Sequence, residues 1–125
     1  MFGAPGPIVI NKSLYRKLAF DPDTLVPVSV VVRHTNMLAV HPRLAIESVQ
    51  GLIAFAKANP GRINYATQGV GSISHITSEM FQSMTGVRMV HVPYKGAAAA
   101  IADLLGGQVD MGFLELSVVL PQVRA

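Results

Sequence analysis

From residue 44 onward the apolar positions switch back and forth between helical and strand spacing. "IESVQGLIAFAKANPG" sets Val49, Leu52, Ile53 and Ala56 three or four residues apart, the repeat of a helix with one buried face, and Asn-Pro-Gly stops it. "RINYAT" is a short strand. "SISHITSEMFQSMTG" predicts a second helix, with Ile73, Ile76, Met80 and Met84 as its apolar stripe and Gly86 as its end. "RMVHVPY" returns to strand, and "GAAAAIADLLGG" to helix, with Ile101, Leu104 and Leu105 turned inward before two glycines. "QVDMGFLEL" is the next strand. "SVVLPQVRA" begins a further helix, with Pro121 expected in its first turn, where a missing amide costs no bond.

Upstream, "APGP" is a turn, "INKSLYRKL" one short helix and "FDPDTLVP" a loop. Residues 26–42, "VPVSVVVRHTNMLAVHP", are rich in β-branched side chains and bounded by prolines. The run is long for one strand and reads as a strand, a bend near His34–Asn36 and a second strand, consistent with a chain crossing between two lobes. Alternating strands and helices with short connections specify an α/β fold, its parallel strands joined by right-handed crossovers. The residues before 26 resemble the tail of another unit, and the pattern breaks off in a helix at Ala125. A piece of a larger protein is expected.

Composition narrows the function classes. Half of the 125 residues are apolar and 14% are charged, which suits one globular domain with a core of its own. Ten Lys and Arg against seven Asp and Glu give a net charge of +3, and the cations are scattered singly. Nucleic-acid binders concentrate theirs on one face, so that partner class is set aside, whereas small anions remain compatible. The absence of cysteine excludes disulfides and thiolate metal sites and leaves the compartment open. No apolar run is long enough for a membrane span. The first residues, "MFGAPGPIVINKSLY", have neither the basic start nor the long apolar core of a signal peptide, so this sequence carries no export address.

The chemistry concentrates where strands meet helices. "INYAT" feeds "QGVGS", and a helix follows near Ser72. In an open parallel sheet such junctions gather at the carboxyl ends of the strands, where ligands bind. Gly69 and Gly71 let the backbone approach a ligand, the first helical turn offers unpaired amides at a positive dipole end, and Thr67, Ser72 and Ser74 add hydroxyls. The alternative is a plain tight turn with Ser72 as helix cap. The loop lacks the Gly-Lys-Ser/Thr ending of a Walker motif and the third glycine of a dinucleotide fingerprint. A second junction, "HVPYKGAAAA", repeats the design, with Tyr94 offering a ring and a hydroxyl and Lys95 a charge. Tyr94 as a half-buried packing residue and Lys95 as a solvated one are the alternatives.

Four histidines, at 34, 41, 75 and 91, show no metal-ligand spacing. His91 alternates with valines and reads as a core residue, while His75, in the first turn after the glycine loop, can face the cleft. Ser72 with His75 is no nucleophile–base pair, because no orienting carboxylate accompanies them. Asp103 and Glu79 read as solvated helix faces, and Asp110 and Glu115 as residues that can reach the cleft edge.

Taken together, "INYATQGVGSISHITSEMFQSMTGVRMVHVPYKGAAAAIADLLGGQVDMGF…LPQV" resembles the Bug family, the tripartite tricarboxylate transporter receptors. The spacing of "HVPYKG" and "LLGGQVD" is its most specific part. "INKSLYRKLAFDPDT…VPVSVVVRHTNMLAVHP" fits too, so the likeness covers nearly the whole chain. The resemblance implies a periplasmic-binding-protein-like (Venus-flytrap) fold, residues 1–37 a fragment of the first lobe plus the hinge crossing, and 38–125 most of the second lobe. It implies a small di- or tricarboxylate as ligand and membrane permease subunits as partners, with no cofactor, no metal, no nucleic acid and no catalysis. The full-length family is periplasmic. The family's second-lobe pincer corresponds to Thr67–Ser74, so the expected ligand-binding residues are Thr67, Gly69, Val70, Gly71, Ser72, Ser74, His75 and Tyr94. Leu114 and Glu115 replace a polar Asp-Asn pair common in the family, which removes a side-chain contact. The rival reading is the effector-sensing domain of a transcriptional regulator with the same two-lobed architecture.

Overall fold

Four strands and four long helices interleave after residue 35, and the strand pairings show why. The computed structural model describes residues 6–33 and 35–123. A π-helical turn, Gly6–Ile10, leads into a single turn of helix α1, Asn11–Leu14, shorter than the sequence suggests. Then follow β1 (Asn36–Val40), α2 (Val49–Ala58), β2 (Asn64–Thr67), α3 (Ile73–Thr85), β3 (Val90–Pro93), α4 (Ala97–Leu105), β4 (Met111–Glu115) and α5 (Leu116–Val123). The sheet order is β1-β4-β2-β3. β2 runs parallel to both β3 and β4, as expected, whereas β1 pairs antiparallel with β4, Asn36 opposite Glu115 and Val40 opposite Met111.

The pleat divides the core in two, giving a helix–sheet–helix sandwich. Tyr65 and Met111 point to one face, where they meet Leu52 and Ala56 of α2, with Ile63 and Val87, and Phe81 and Phe113 at its edge. Ala66 and Leu114 point to the other face, against Ala100, Ile101 and Leu104 of α4 and Val119 of α5. Leu114 is fully buried there.

Several expectations are corrected. Residues 26–33 form no strand: Val26, Val28, Val30, Val31 and Val32 are 85, 96, 70, 77 and 61% exposed. A strand needs a hydrogen-bonded neighbour, and these residues have none among the described ones. The bend expected at His34 lies outside the described residues. In α3 the inward stripe is Ser74, Ser78, Phe81 and Thr85, while Met80 and Met84 are 59 and 77% exposed. Two buried serines let the helix lie close to the sheet, and Ser78 satisfies its hydroxyl on the Ser74 carbonyl at 2.8 Å. The ring of Phe81 then meets Phe113, centroids 5.7 Å apart. Leu105 faces out, 54% exposed, and Ala100 takes the inward place. α5 starts directly after β4, so Pro121 sits inside the helix rather than in its first turn.

Asp110 is not at the cleft edge. It precedes β4, at the amino ends of the parallel strands, and is 4% exposed. Its Oδ1 accepts from Arg43 Nε and Nη2 at 3.2 and 2.7 Å, and its Oδ2 from the Asn64 amide at 2.7 Å. Buried carboxylates persist when they are paired and bonded in this way. Beside this clasp lies a cleft of about 440 Å³ lined by Arg43, Leu44, Phe55, Arg62, Asn64 and Asp110.

Candidate anion-binding site

β2 ends at Thr67 and α3 begins at Ile73, so the glycine loop lies at the carboxyl ends of the parallel strands. Gly69 and Gly71 have φ of +127° and +78°, which residues with a Cβ rarely adopt. Both are also crowded. A Cβ on Gly69 would stand 3.3 Å from the Tyr94 carbonyl oxygen, and one on Gly71 would stand 2.9 Å from Leu14 Cδ1 and 3.0 Å from Asn11 Oδ1. The loop is thus held between the end of β3 and the short helix α1.

Its amides are not all bare, which corrects the expectation for residues 69–72. Gln68 donates to Ser74 Oγ at 3.0 Å, Gly69 to Thr67 Oγ1 at 3.3 Å, Gly71 to His75 Nδ1 at 3.3 Å and Ser72 to the Gly69 carbonyl at 3.2 Å. The His75 amide donates to Ser72 Oγ at 3.3 Å, so Ser72 is the helix cap as well. The three 3.3 Å bonds are longer than the usual N–H···O range and are weak. Val70, Ile73 and Ser74 have amides with no hydrogen-bond partner among the described residues. Those three stand at the positive end of a 13-residue helix.

Beneath the loop lies a stack of rings that the sequence did not reveal. His75 and His91 stack with centroids 4.4 Å apart, and Tyr65 lies on the other side of His91 at 5.0 Å. His91 Nε2 is 2.7 Å from Thr67 Oγ1. Because that oxygen already accepts from Gly69, the hydroxyl proton points to His91 when Nε2 is bare. Burial, and then the neighbouring His75, lower the pKa of His91, which favours its neutral form. Glu79 lies on an exposed helix face, as expected, but it is also bonded: the Tyr65 hydroxyl donates to it, and its Oε1 is 3.9 Å from His75 Nε2. Burial, then Glu79, raise the Tyr65 pKa.

The second junction is turned differently. Tyr94 is half-buried against the α4 face, and its hydroxyl donates to Asp103 at 2.6 Å, so Asp103 too has a structural partner. Burial first, then that bond, push the Tyr94 pKa up to about 12. Lys95 is exposed. One residue was missed by sequence reasoning. Asn36 Nδ2 is buried with no hydrogen-bond partner among the described residues. Asn36 lies opposite Glu115 at the same end of the sheet as the glycine loop. Nothing in its local pattern marks it out. Among the described residues no group of three or more His, Asp or Glu is placed to hold a metal ion.

The glycine loop, with three unpaired amides, thus lies at the carboxyl strand ends of an α/β sheet. The model for "Tripartite tricarboxylate transporter family receptor" matches residues 5–125. The chain belongs to this receptor family. Protein BugT of Bordetella pertussis is 36% identical over 120 residues, which cover 95% of this chain and 37% of that protein. Among solved structures, Rpa4515 of R. palustris with adipate aligns at a TM-score of 0.92 and 36% identity, covering 98% of this chain and 41% of the other. The periplasmic binding protein BugD aligns at a TM-score of 0.62 and 30% identity, over 66% of this chain and 27% of BugD. The fold is that of periplasmic binding proteins. The chain spans 37% and 41% of the lengths of BugT and Rpa4515. No described helix is long and apolar enough to cross a membrane.

Proposed function

We propose that this chain forms most of the second lobe of a two-lobed solute receptor that captures a small di- or tricarboxylate. Residues 1–37 would be a fragment of the first lobe with the hinge crossing, and 38–125 the second lobe. The complete receptor would work in the periplasm and hand its ligand to the membrane permease subunits of a tripartite tricarboxylate transporter. The observation that carries the reading is the trio of unpaired amides, Val70, Ile73 and Ser74, where the glycine loop enters α3. A carboxylate there accepts from backbone donors backed by the helix dipole. Thr67, Gly69, Gly71, Ser72 and Ser74 shape the loop, and His75 lies beneath it. Tyr94 contributes through the backbone that packs on Gly69, with its hydroxyl held by Asp103.

Two further observations support a diacid. Rpa4515, at 36% identity, was solved with adipate. Asn36 also holds a buried donor that nothing in the described chain satisfies, an arrangement that costs about 1–3 kcal/mol until a partner arrives. A second acid group reaching the Asn36 edge of the sheet would satisfy it. Catalysis is not part of the reading, since Ser72 Oγ bonds the Gly69 carbonyl and Ser74 Oγ, and the ring of His75 is engaged with the Gly71 amide.

Magnitudes require the other lobe. Three bonds to a charged group, at about 1.5–3 kcal/mol each, total about 4.5–9 kcal/mol. Association costs at least about 4 kcal/mol, which leaves at most about 5 kcal/mol, a Kd of about 0.2 mM or weaker, for this lobe, whereas micromolar binding needs about 8 kcal/mol net. The test is calorimetry on a hybrid in which residues 5–125 replace the matching segment of Rpa4515. Micromolar adipate binding is expected; a hybrid that folds by circular dichroism yet shows no binding at millimolar adipate would reject the reading.

A further inference from the structure

His75 is the residue of the loop whose bonding changes with protonation. Its Nδ1 accepts the Gly71 amide, so the neutral ring carries its proton on Nε2, the nitrogen 3.9 Å from Glu79. Adding a second proton to the ring converts Nδ1 from an acceptor into a donor. The Gly71 amide then loses its partner, and two donors face the same space. An oxyanion placed there would accept from both. We propose that His75 is a proton-gated positioning residue of this loop: neutral, it caps the Gly71 amide; protonated, it releases that amide and offers Nδ1–H beside it, so that carboxylate capture takes up a proton. The inference rests on the carboxylate reading of the loop.

The surroundings decide which imidazole takes the proton. His75 and His91 are stacked at 4.4 Å, so two charged rings would repel and the pair holds one proton far more readily than two. His91, on β3, is buried between Tyr65 and His75, and its bond to Thr67 is satisfied by a neutral ring. His75, on α3, keeps 15% of its side chain exposed and has the Glu79 carboxylate one helical turn away. Across it, β2 contributes Tyr65, whose hydroxyl is bonded to that same carboxylate. From α1, the residues set against Gly71 are Leu14 and Asn11, both uncharged. Of the two rings it is His75 that reaches solvent and lies beside a carboxylate, and a neutral His91 does not oppose a charge on it. The 3.3 Å length of the Gly71–His75 bond makes it a weak cap, easily exchanged for a charge-assisted one.

The sign follows from linkage. If the bound form holds one more proton than the free form, affinity rises as pH falls, by up to about tenfold per pH unit, and is lost as pH rises above the titration of the bound ring. An imidazole titrates near pH 6.5 in water, well above the range of carboxylates, so a diacid probe stays ionised throughout the useful window.

The experiment uses the ¹⁵N-labelled 125-residue chain and adipate. Without ligand, the Gly71 amide resonance is expected to change with pH at the same midpoint as the His75 ring nitrogens, and to stay flat in His75→Asn, whose side-chain oxygen accepts at every pH. With adipate, the wild-type affinity is expected to increase severalfold from pH 8 to pH 6.5, and that of His75→Asn to be the same at both. Calorimetry of the wild type in two buffers of different ionisation heat should give an uptake approaching one proton, which keeps the test intact should the variant fail to fold. Adipate binding with no proton uptake and no shared Gly71–His75 midpoint overturns the gate while leaving carboxylate binding standing. Shared titration with no adipate bound at any pH overturns the carboxylate reading, and the coupled mechanism with it.

Discussion

Replacing Gly71 by alanine tests whether α1 is seated on the glycine loop. Two costs are separable. The first is backbone: φ at Gly71 is +78°, and placing a Cβ in the left-handed region costs about 1–2 kcal/mol. Gly86, the residue after α3, has φ of +70° and open space where a Cβ would go, so Gly86→Ala measures that cost alone. The second is contact: the new methyl would lie 2.9 Å from Leu14 Cδ1 and 3.0 Å from Asn11 Oδ1. Both atoms end flexible side chains, so the structure yields by off-rotamer shifts at about 0.5–1.5 kcal/mol rather than by refolding. Gly71→Ala should therefore destabilise by about 1.5–3.5 kcal/mol and Gly86→Ala by about 1–2 kcal/mol. In a double-mutant cycle, Leu14→Ala should relieve part of the Gly71→Ala penalty, with a coupling of about 0.5–1.5 kcal/mol. Urea denaturation of the four chains gives the numbers. Additivity within about 0.3 kcal/mol would show that α1 does not rest on the loop and plays no part in shaping it.

Asp110→Ala removes three charge-assisted bonds at the far end of the sheet and leaves the Asn64 amide without its partner. Because Arg43 is 44% exposed and regains water, a loss of about 2–3 kcal/mol in urea denaturation is expected, with the loop's adipate response unchanged. Tyr94, with its pKa pushed up to about 12, stays protonated in the fold when the unfolded residue has ionised near pH 10. Stability should thus be full below about pH 10 and fall as pH rises toward 12; Tyr94→Phe should flatten that fall in a pH series of melting curves, leaving the part due to Tyr65.

How much of this was legible in the sequence depends on what fixes each feature. The four helices after residue 44 and strands β2 to β4 follow from local spacing and stop signals, since Asn-Pro-Gly and Gly86 act within a few residues. Which face α3 buries does not. Ile73, Ile76, Met80 and Met84 form a good apolar stripe, yet Ser74 and Ser78 go inside because close approach to the sheet and the Phe81–Phe113 contact outweigh it. Residues 26–33 carry strand propensity with no neighbouring strand to realise it among the described residues, a tertiary fact invisible locally. At the site, glycines and serines marked the loop, but their spacing does not show that Ser74, Thr67 and His75 cap its amides from within. The Tyr65–His91–His75 stack joins three elements and has no sequence signature. Asn36 was hidden for the same reason: its meaning lies in the sheet register, opposite Glu115.

The claim beneath all of this is that an acid group docks at the amides of the glycine loop. Amide chemical-shift mapping of the ¹⁵N-labelled chain with adipate, carried to tens of millimolar because three amide bonds alone give weak binding, tests it directly. The account predicts saturable shifts largest at Val70, Ile73 and Ser74, with smaller ones at Gly71 and Asn36. Shifts clustered instead around Arg43, Arg62 and Asn64, in the cleft at the opposite end of the sheet, or no saturable shift anywhere, would contradict it.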